Sequence, residues 1–186
     1  MVYICSHKPD EITYKLNCPY EIIDNNNSDL PENYRHLRGM KQICEMENLP
    51  EEIGIFQHRR YLECNCIPEG YDIVVSNDFP PFHMKNQYAS CHNVKDIEIA
   101  ERIIGPDFTK YINLPNNKGY YHNMFVMRKS DYQKYCEFLF SILTEHDILA
   151  GSDVDDDKLA ERITSYWIWK NFPKDKIFKA KTITVC

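Results

Sequence analysis

The chain has no surplus of positive charge. Its 186 residues hold 22 Lys and Arg against 28 Asp and Glu, a formal net charge of -6 at pH 7. Nucleic-acid-binding domains usually carry a basic surplus, so no nucleic-acid partner is expected. No apolar run approaches the roughly 18 residues of a membrane-spanning helix, so no membrane span is expected either. The start, Met1-Val2-Tyr3-Ile4-Cys5-Ser6-His7-Lys8, lacks the layout of a secretory signal and reads as an immediate first strand. The eight cysteines are irregularly spaced, and only Cys64 and Cys66 form a close pair. A zinc site wants two such pairs or added histidines at short spacing. A disulfide framework goes with secretion, so reduced cytosolic thiols are the reading here. There is no internal repeat and no low-complexity linker, which argues for one domain over residues 1–186.

What is present is globular: 43% hydrophobic and 27% charged residues are enough for a core. The 13 tyrosines suit either ordinary packing or a polar ligand cleft. Strand-like and helix-like stretches alternate. Strands are predicted at Val2–Ser6, Ile53–Phe56, Tyr71–Val75, Tyr120–Met127 (with Asn123 inside) and Ile177–Val185. Helices are predicted at Asn33–Ile43, at Val94–Ile104 with Asn93 as cap, at Ser130–Leu143 with Ser130 as cap, and at Val154–Trp169. Residues 20–33 read as a polar loop, and Pro80 and Pro81 stop any regular element. The alternation predicts an α/β fold with a mostly parallel central sheet flanked by helices.

Three features carry chemistry. The apolar run Ile53-Gly54-Ile55-Phe56-Gln57 ends in His58-Arg59-Arg60-Tyr61. Guanidinium forks match phosphate or carboxylate oxygens, and ligands of open α/β sheets sit outside the carboxyl ends of strands. The plainer account is a surface ion-pair cluster with Glu51, Glu52 or Glu63. Second, Ser76-Asn77-Asp78 follows a predicted strand. Asp78, with Ser76 two positions earlier, suits a divalent cation whose other ligands are waters and substrate phosphates; a plain turn into Pro80 is the alternative. Third, the acidic run Asp153 to Asp157 precedes a helix, where negative charge complements the dipole. An acid on that helix, Asp157 or Glu161 one turn on, can also serve as a general base.

The runs Tyr3-Ile4-Cys5-Ser6-His7-Lys8-Pro9, Tyr34-Arg35-His36-Leu37-Arg38-Gly39, Gly54 to Tyr61 and His122-Asn123-Met124-Phe125-Val126-Met127 together resemble a bacterial and viral family. Its members are glycosyltransferase-like proteins of capsular and exopolysaccharide synthesis. Ala160-Glu161-Arg162-Ile163 stands where that family has a Ser-Glu-Arg-Leu-like helix, and Tyr166 to Asn171 echoes its aromatic phrase. More narrowly, the chain is similar to the small glycosyltransferase domain of chlorella-virus glycan-synthesis proteins. The resemblance implies a single GT-A domain, Rossmann-like, that binds a nucleotide-diphosphate sugar, with UDP as carrier. It implies a glycan acceptor, Mn²⁺ or Mg²⁺ as cofactor, and a cytoplasmic location (host cytoplasm if viral). Such enzymes usually carry Asp-x-Asp after a central strand. Here Ser76-Asn77-Asp78 is the nearest variant, which puts metal dependence in question.

On that resemblance, Ser6, His7, Lys8, Tyr34 and Arg38 would cradle the nucleotide, and His58, Arg59 and Arg60 would bind phosphate or donor sugar. Asp78 and Ser76 would hold the metal. Asn123 would meet sugar or acceptor, and Glu161 or Asp157 would deprotonate the acceptor hydroxyl. Two rivals stand beside this: an inactive carbohydrate-binding or scaffold domain, and a nucleotidyltransferase or phosphohydrolase-type enzyme.

Overall fold

The computed structural model describes residues 1–78, 83–115, 117, 119–151 and 156–185. Pro80 and Pro81, and Asp153, Val154 and Asp155 of the acidic run, lie outside the described residues. The strands are β1 (Val2–Ser6), β2 (Tyr20–Asp24), β3 (Glu52–Gln57), β4 (Arg60–Leu62), β5 (Ile73–Ser76), β6 (Phe125–Arg128), β7 (Ile177–Ala180) and β8 (Thr182–Thr184). The helices are α1 (Leu37–Cys44), α2 (Met84–Cys91), α3 (Val94–Ile104), α4 (Pro106–Ile112), α5 (Lys129–Ala150) and α6 (Asp156–Asn171).

The fold is α/β, as expected. The main path through the mixed sheet runs β2-β1-β3-β6-β5-β7. β6 alone on that path runs against the others. β4 pairs antiparallel with β3, and β8 pairs antiparallel with β4. Period-2 alternation sends successive side chains to opposite faces. Tyr3, Cys5, Ile53, Ile55, Phe125 and Met127 join one buried cluster; Val2, Ile4, Phe56 and Val126 join the other. The described helices pack into the first cluster only. The second face is covered by Ile12, Tyr14 and Leu16 of the segment after β1 and by Leu62 of β4.

Local departures from expectation have local causes. The stretch 20–33 opens with β2, an edge strand in which only Ile23 is buried, so no apolar pattern announces it. The predicted helix from Asn33 breaks at Arg35, whose φ is +47°, and α1 starts at Leu37. The predicted strand from Tyr120 is shorter: His122 and Asn123 have φ of +74° and +49°, and β6 begins only at Phe125. Ser130 lies inside the first turn of α5 rather than at its cap, and that helix runs on to Ala150. The Asn93 cap is present, its side chain accepting from Lys95 N at 3.1 Å. The C-terminal alternation is split into β7 and β8 at Lys181.

Two features bring chemistry to the carboxyl edge of the sheet. A Cβ on Gly39 would lie 2.5 Å from Asn25 Oδ1 and 2.8 Å from Cys5 Sγ, so only glycine lets α1 close on β1. And α6 is buried on nearly every side, polar residues included: Glu161, Arg162, Thr164 and Ser165 are each 3% exposed or less. Buried polar groups need partners. Ser165 Oγ accepts from Tyr120 N and donates to Tyr120 O, and the Thr164 hydroxyl donates to Asn123 Oδ1 at 2.9 Å. The helix therefore pins the loop that leads into β6.

Candidate active site

The chain leaves β1 to one side to form β2, then returns on the other side to form β3. Such a reversal of strand order opens a crevice at the carboxyl ends of the flanking strands. A cavity of about 560 Å³ sits there, with Cys5 and His7 at the end of β1 and Gln57 and His58 at the end of β3. Its remaining walls come from Asn25 and Asn26 beyond β2, from Arg35, His36 and Arg38 at the start of α1, and from Asp157 and Lys158 at the start of α6. The volume lies within the range of small-molecule sites. Arg35, Arg38, Arg60 and Lys158 face it against Glu32 and Asp157, so the cavity is basic within an acidic protein.

The expected anion-binding run divides in two. His58 and Arg59 make the turn between β3 and β4, and Arg60 pairs with Gln57. Arg60 lines the cavity, and among the described residues its guanidinium has no hydrogen-bond or ion-pair partner. Arg59 points elsewhere, into a groove with Glu11, Thr13 and Val185. Tyr61 stacks on Tyr14 with ring centroids 4.9 Å apart. His58 packs edge-on against His7 at 5.1 Å. Burial, then the His7 and Arg59 charges, hold its pKa below the ordinary value.

The other predicted residues fall into three groups. His7 and Arg38 line the cavity, Arg38 donating to Ser28 O at 3.0 Å. Ser6 and Lys8 do not: the Ser6 hydroxyl accepts from Lys8 N at 2.9 Å, and Lys8 pairs with Glu11 at 2.8 Å. Tyr34 is buried with its phenol donating to Asp147 at 2.6 Å, on the far side of the segment that carries Arg35.

Asn123 is 2% exposed, with Oδ1 accepting from Thr164 and Nδ2 donating to Asp157 O at 3.2 Å. Glu161 is 3% exposed, paired with Arg162 at 2.8 Å and Lys158 at 3.1 Å. Arg162 in turn lies over the rings of Tyr88 and Tyr121, 5.1 Å from each centroid. Of the two predicted acids on α6, Asp157 reaches the cavity and Glu161 does not line it. Burial pushes the Asp157 pKa up, but His36 at 2.5 Å, Lys158 and Arg35 outweigh that and hold it below the ordinary value.

The candidate metal residues separate. Ser76 is fully buried, its hydroxyl shared with Thr182 at 2.7 Å and with Asp78 N at 3.0 Å. Its oxygen caps a turn and is not offered to an ion. Asp78 is half exposed and lies 3.3 Å from His122 Nε2. The pairing follows from β6 running backwards, which brings the entry to β6 beside the exit from β5. Burial, then the charge of Arg60, lowers the pKa of His122, and a neutral imidazole is the ligating form. One carboxylate oxygen and one imidazole nitrogen fit a divalent ion with mixed N/O preference such as Mn²⁺ better than Mg²⁺, which favours oxygen.

Sequence reasoning missed His122, Arg35, His36 and Lys158. The usable signal was local: His122 begins the His-Asn-Met-Phe run, and Arg35-His36 sits inside Tyr34-Arg35-His36-Leu37-Arg38. Three non-glycine residues with positive φ, Arg35, His122 and Asn123, border this edge, and such backbone conformations concentrate at functional sites.

Fold and site together define an open α/β protein with a basic crevice at its topological switch point. The family model described as "Domain of unknown function (DUF4422)" matches residues 64–164, more than half of the chain, and the chain belongs to that family. Among solved structures it is similar to the apo structure of the bifunctional glycosyltransferase WbbM, with a TM-score of 0.75 and 20% sequence identity. The match covers 99% of this chain and 45% of that one, so the chain spans less than half the length of that protein. At this identity the likeness establishes a shared fold. No curated protein matches. No described helix is long and apolar enough to cross a membrane.

Proposed function

We propose that this chain is a single GT-A-type glycosyltransferase domain. It would move a hexose from a nucleotide-diphosphate sugar, with UDP as the carrier, to a hydroxyl of a glycan acceptor such as a capsular or exopolysaccharide chain. The observation that carries the reading is the basic cavity at the switch point, with the Arg60 guanidinium, which has no partner among the described residues, on its wall. The shared fold with a glycosyltransferase supports it.

In this reading Arg38, Arg60 and Lys158 bind the diphosphate by charge-assisted hydrogen bonds, and His7, Asn25 and Asn26 contact the nucleoside. Asp78 and His122 would hold a divalent cation, Mn²⁺ rather than Mg²⁺. When bound, that ion supplies positive charge to the leaving diphosphate. Of the carboxylates considered for the acceptor proton, Asp157 reaches the cavity and Glu161 is bound up with Lys158 and Arg162. Asp157 and His36 would receive that proton as a pair. Asn123 would shape the acceptor side through the loop it holds.

Titration calorimetry with UDP and UDP-sugars, with and without Mn²⁺, tests the proposal. Binding is expected to tighten with Mn²⁺ in the wild type and to lose that dependence in Asp78→Ala. Unchanged Mn²⁺ dependence in Asp78→Ala would remove the metal assignment. Failure of any nucleotide sugar to bind, or release of phosphate in place of sugar transfer, would overturn the activity.

A further inference from the structure

A second cluster of ligating groups lies away from Asp78. His146 and Asp147, near the end of α5, and Asp156, the first residue of α6, each offer one ligand atom, and these atoms lie within 4.8 Å of one another. Two carboxylates alone would be an ordinary acidic patch. The imidazole makes the difference. His146 is fully buried, and its Nε2 lies 3.0 Å from the carbonyl oxygen of Asp96. A carbonyl only accepts, so Nε2 carries a proton, and in the neutral ring Nδ1 then holds a lone pair. Nδ1 is itself buried, with no hydrogen-bond partner among the described residues. An orphaned buried acceptor calls for an explanation, and this is the tautomer in which a histidine ligates a metal while its other nitrogen is anchored to a backbone carbonyl.

The carboxylates are held in the same way. Asp147 Oδ2 accepts from the Tyr34 phenol at 2.6 Å, and the Asn33 amide donates to Asp156 Oδ2. Both carboxylates are thus oriented by donors on one oxygen, the arrangement of outer groups around a metal.

We infer that His146, Asp147 and Asp156 form a binding site for a divalent transition-metal ion, distinct from the Asp78–His122 pair. The donor set is one neutral nitrogen and two anionic oxygens. It matches the charge of the ion and suits Mn²⁺, Fe²⁺ or Zn²⁺ with water in the open positions. The ion would clamp the end of α5 to the start of α6, and through Asn33 and Tyr34 to the segment whose Glu32, Arg35 and His36 wall the cavity. Its role is structural and stands whether or not the chain transfers sugars.

Manganese titration followed by electron paramagnetic resonance, without nucleotide, tests it, because thiols compete poorly for this ion. The Asp78→Ala protein isolates the site. It is expected to bind one Mn²⁺ per chain, and addition of Asp147→Asn or Asp156→Asn should weaken that binding about tenfold or more. Each Asn retains an oxygen to accept from Tyr34 or Asn33, so the metal-free variants should keep the far-ultraviolet circular dichroism of the parent. Absence of Mn²⁺ binding by Asp78→Ala up to about 1 mM, where affinity corresponds to only ~4 kcal/mol, would overturn the site. So would equal binding by the folded double variants.

Discussion

Arg59 and Arg60 are adjacent in the chain, yet the structure gives them different tasks. Residue 60 pairs with Gln57 and Thr184, and its side chain enters the cavity beside Gln57 and His58. Residue 59 is in the turn and faces Glu11 and Val185. A guanidinium–phosphate contact is a charge-assisted hydrogen bond worth about 1.5–3 kcal/mol. Arg60 is only half-buried, so solvent screening places it near the lower end, at about 1.5–2 kcal/mol. Since ~1.4 kcal/mol is tenfold in affinity, Arg60→Ala should weaken UDP binding about 10–30-fold. Arg59→Ala makes no cavity contact and should act only through long-range charge, at about 0.5 kcal/mol or roughly twofold. Calorimetry with UDP at physiological and at high salt separates the two. The Arg59 effect should vanish once the Debye length shrinks to about 3 Å near 1 M salt, whereas much of the Arg60 effect persists. An Arg59→Ala loss equal to or larger than that of Arg60→Ala would refute the reasoning. So would an unchanged affinity in Arg60→Ala.

Two further outcomes follow from the residues that brace the cavity. Asn123→Ala removes two buried hydrogen bonds at ~1 kcal/mol each and puts alanine at a φ of +49° for ~1 kcal/mol more; urea unfolding should show a loss of about 3 kcal/mol, with Asn123→Gly about 0.5–1 kcal/mol better than Ala, and a glycine variant no more stable than alanine would contradict the strained-loop account. Asp157 has a folded-state pKa below its unfolded value, so its ionised form favours the fold above the unfolded pKa, and that contribution is lost as pH falls through the folded pKa. The acid limb of the stability–pH curve, followed to about pH 3, should therefore be shallower in Asp157→Asn than in the wild type, and parallel curves would count against the His36 contact.

How much of this was legible beforehand depended on whether the signal was local. β1, β3 and β5 are buried on both faces, so each appears as a short, mostly apolar run rich in β-branched or aromatic residues. The Asn93 cap and the helix after it follow from side-chain chemistry within four residues. The basic run at the end of β3 was legible for the same reason: charge directly after an apolar strand marks the edge of a sheet. Its division was not, because which arginine turns inward is set by the pairing of Arg60 with Gln57 and Thr184, and Thr184 is more than a hundred residues away in sequence.

The Asp78 partner was hidden for a topological reason. His122 meets Asp78 only because β6 is inserted backwards between β3 and β5, and nothing in residues 120–127 encodes that reversal. Tyr34 and Arg38 seemed to share one helix. The positive φ at Arg35 breaks it, sends Arg38 to the cavity and leaves Tyr34 bonded to Asp147 on the other side. A non-glycine residue in that conformation costs about 1 kcal/mol or more, and it persists because the two sides of the kink are held independently. On one side Asn33 and Tyr34 bond the carboxylates of Asp156 and Asp147; on the other His36 contacts Asp157. The start of α6 thus presents two successive aspartates to two different environments. Asp156 faces the His146 cluster and Asp157 faces the basic cavity. The strain at Arg35 is what allows one short segment to serve both, so relief of that strain by Arg35→Gly should be tolerated by the fold, and its effect should be read in nucleotide affinity.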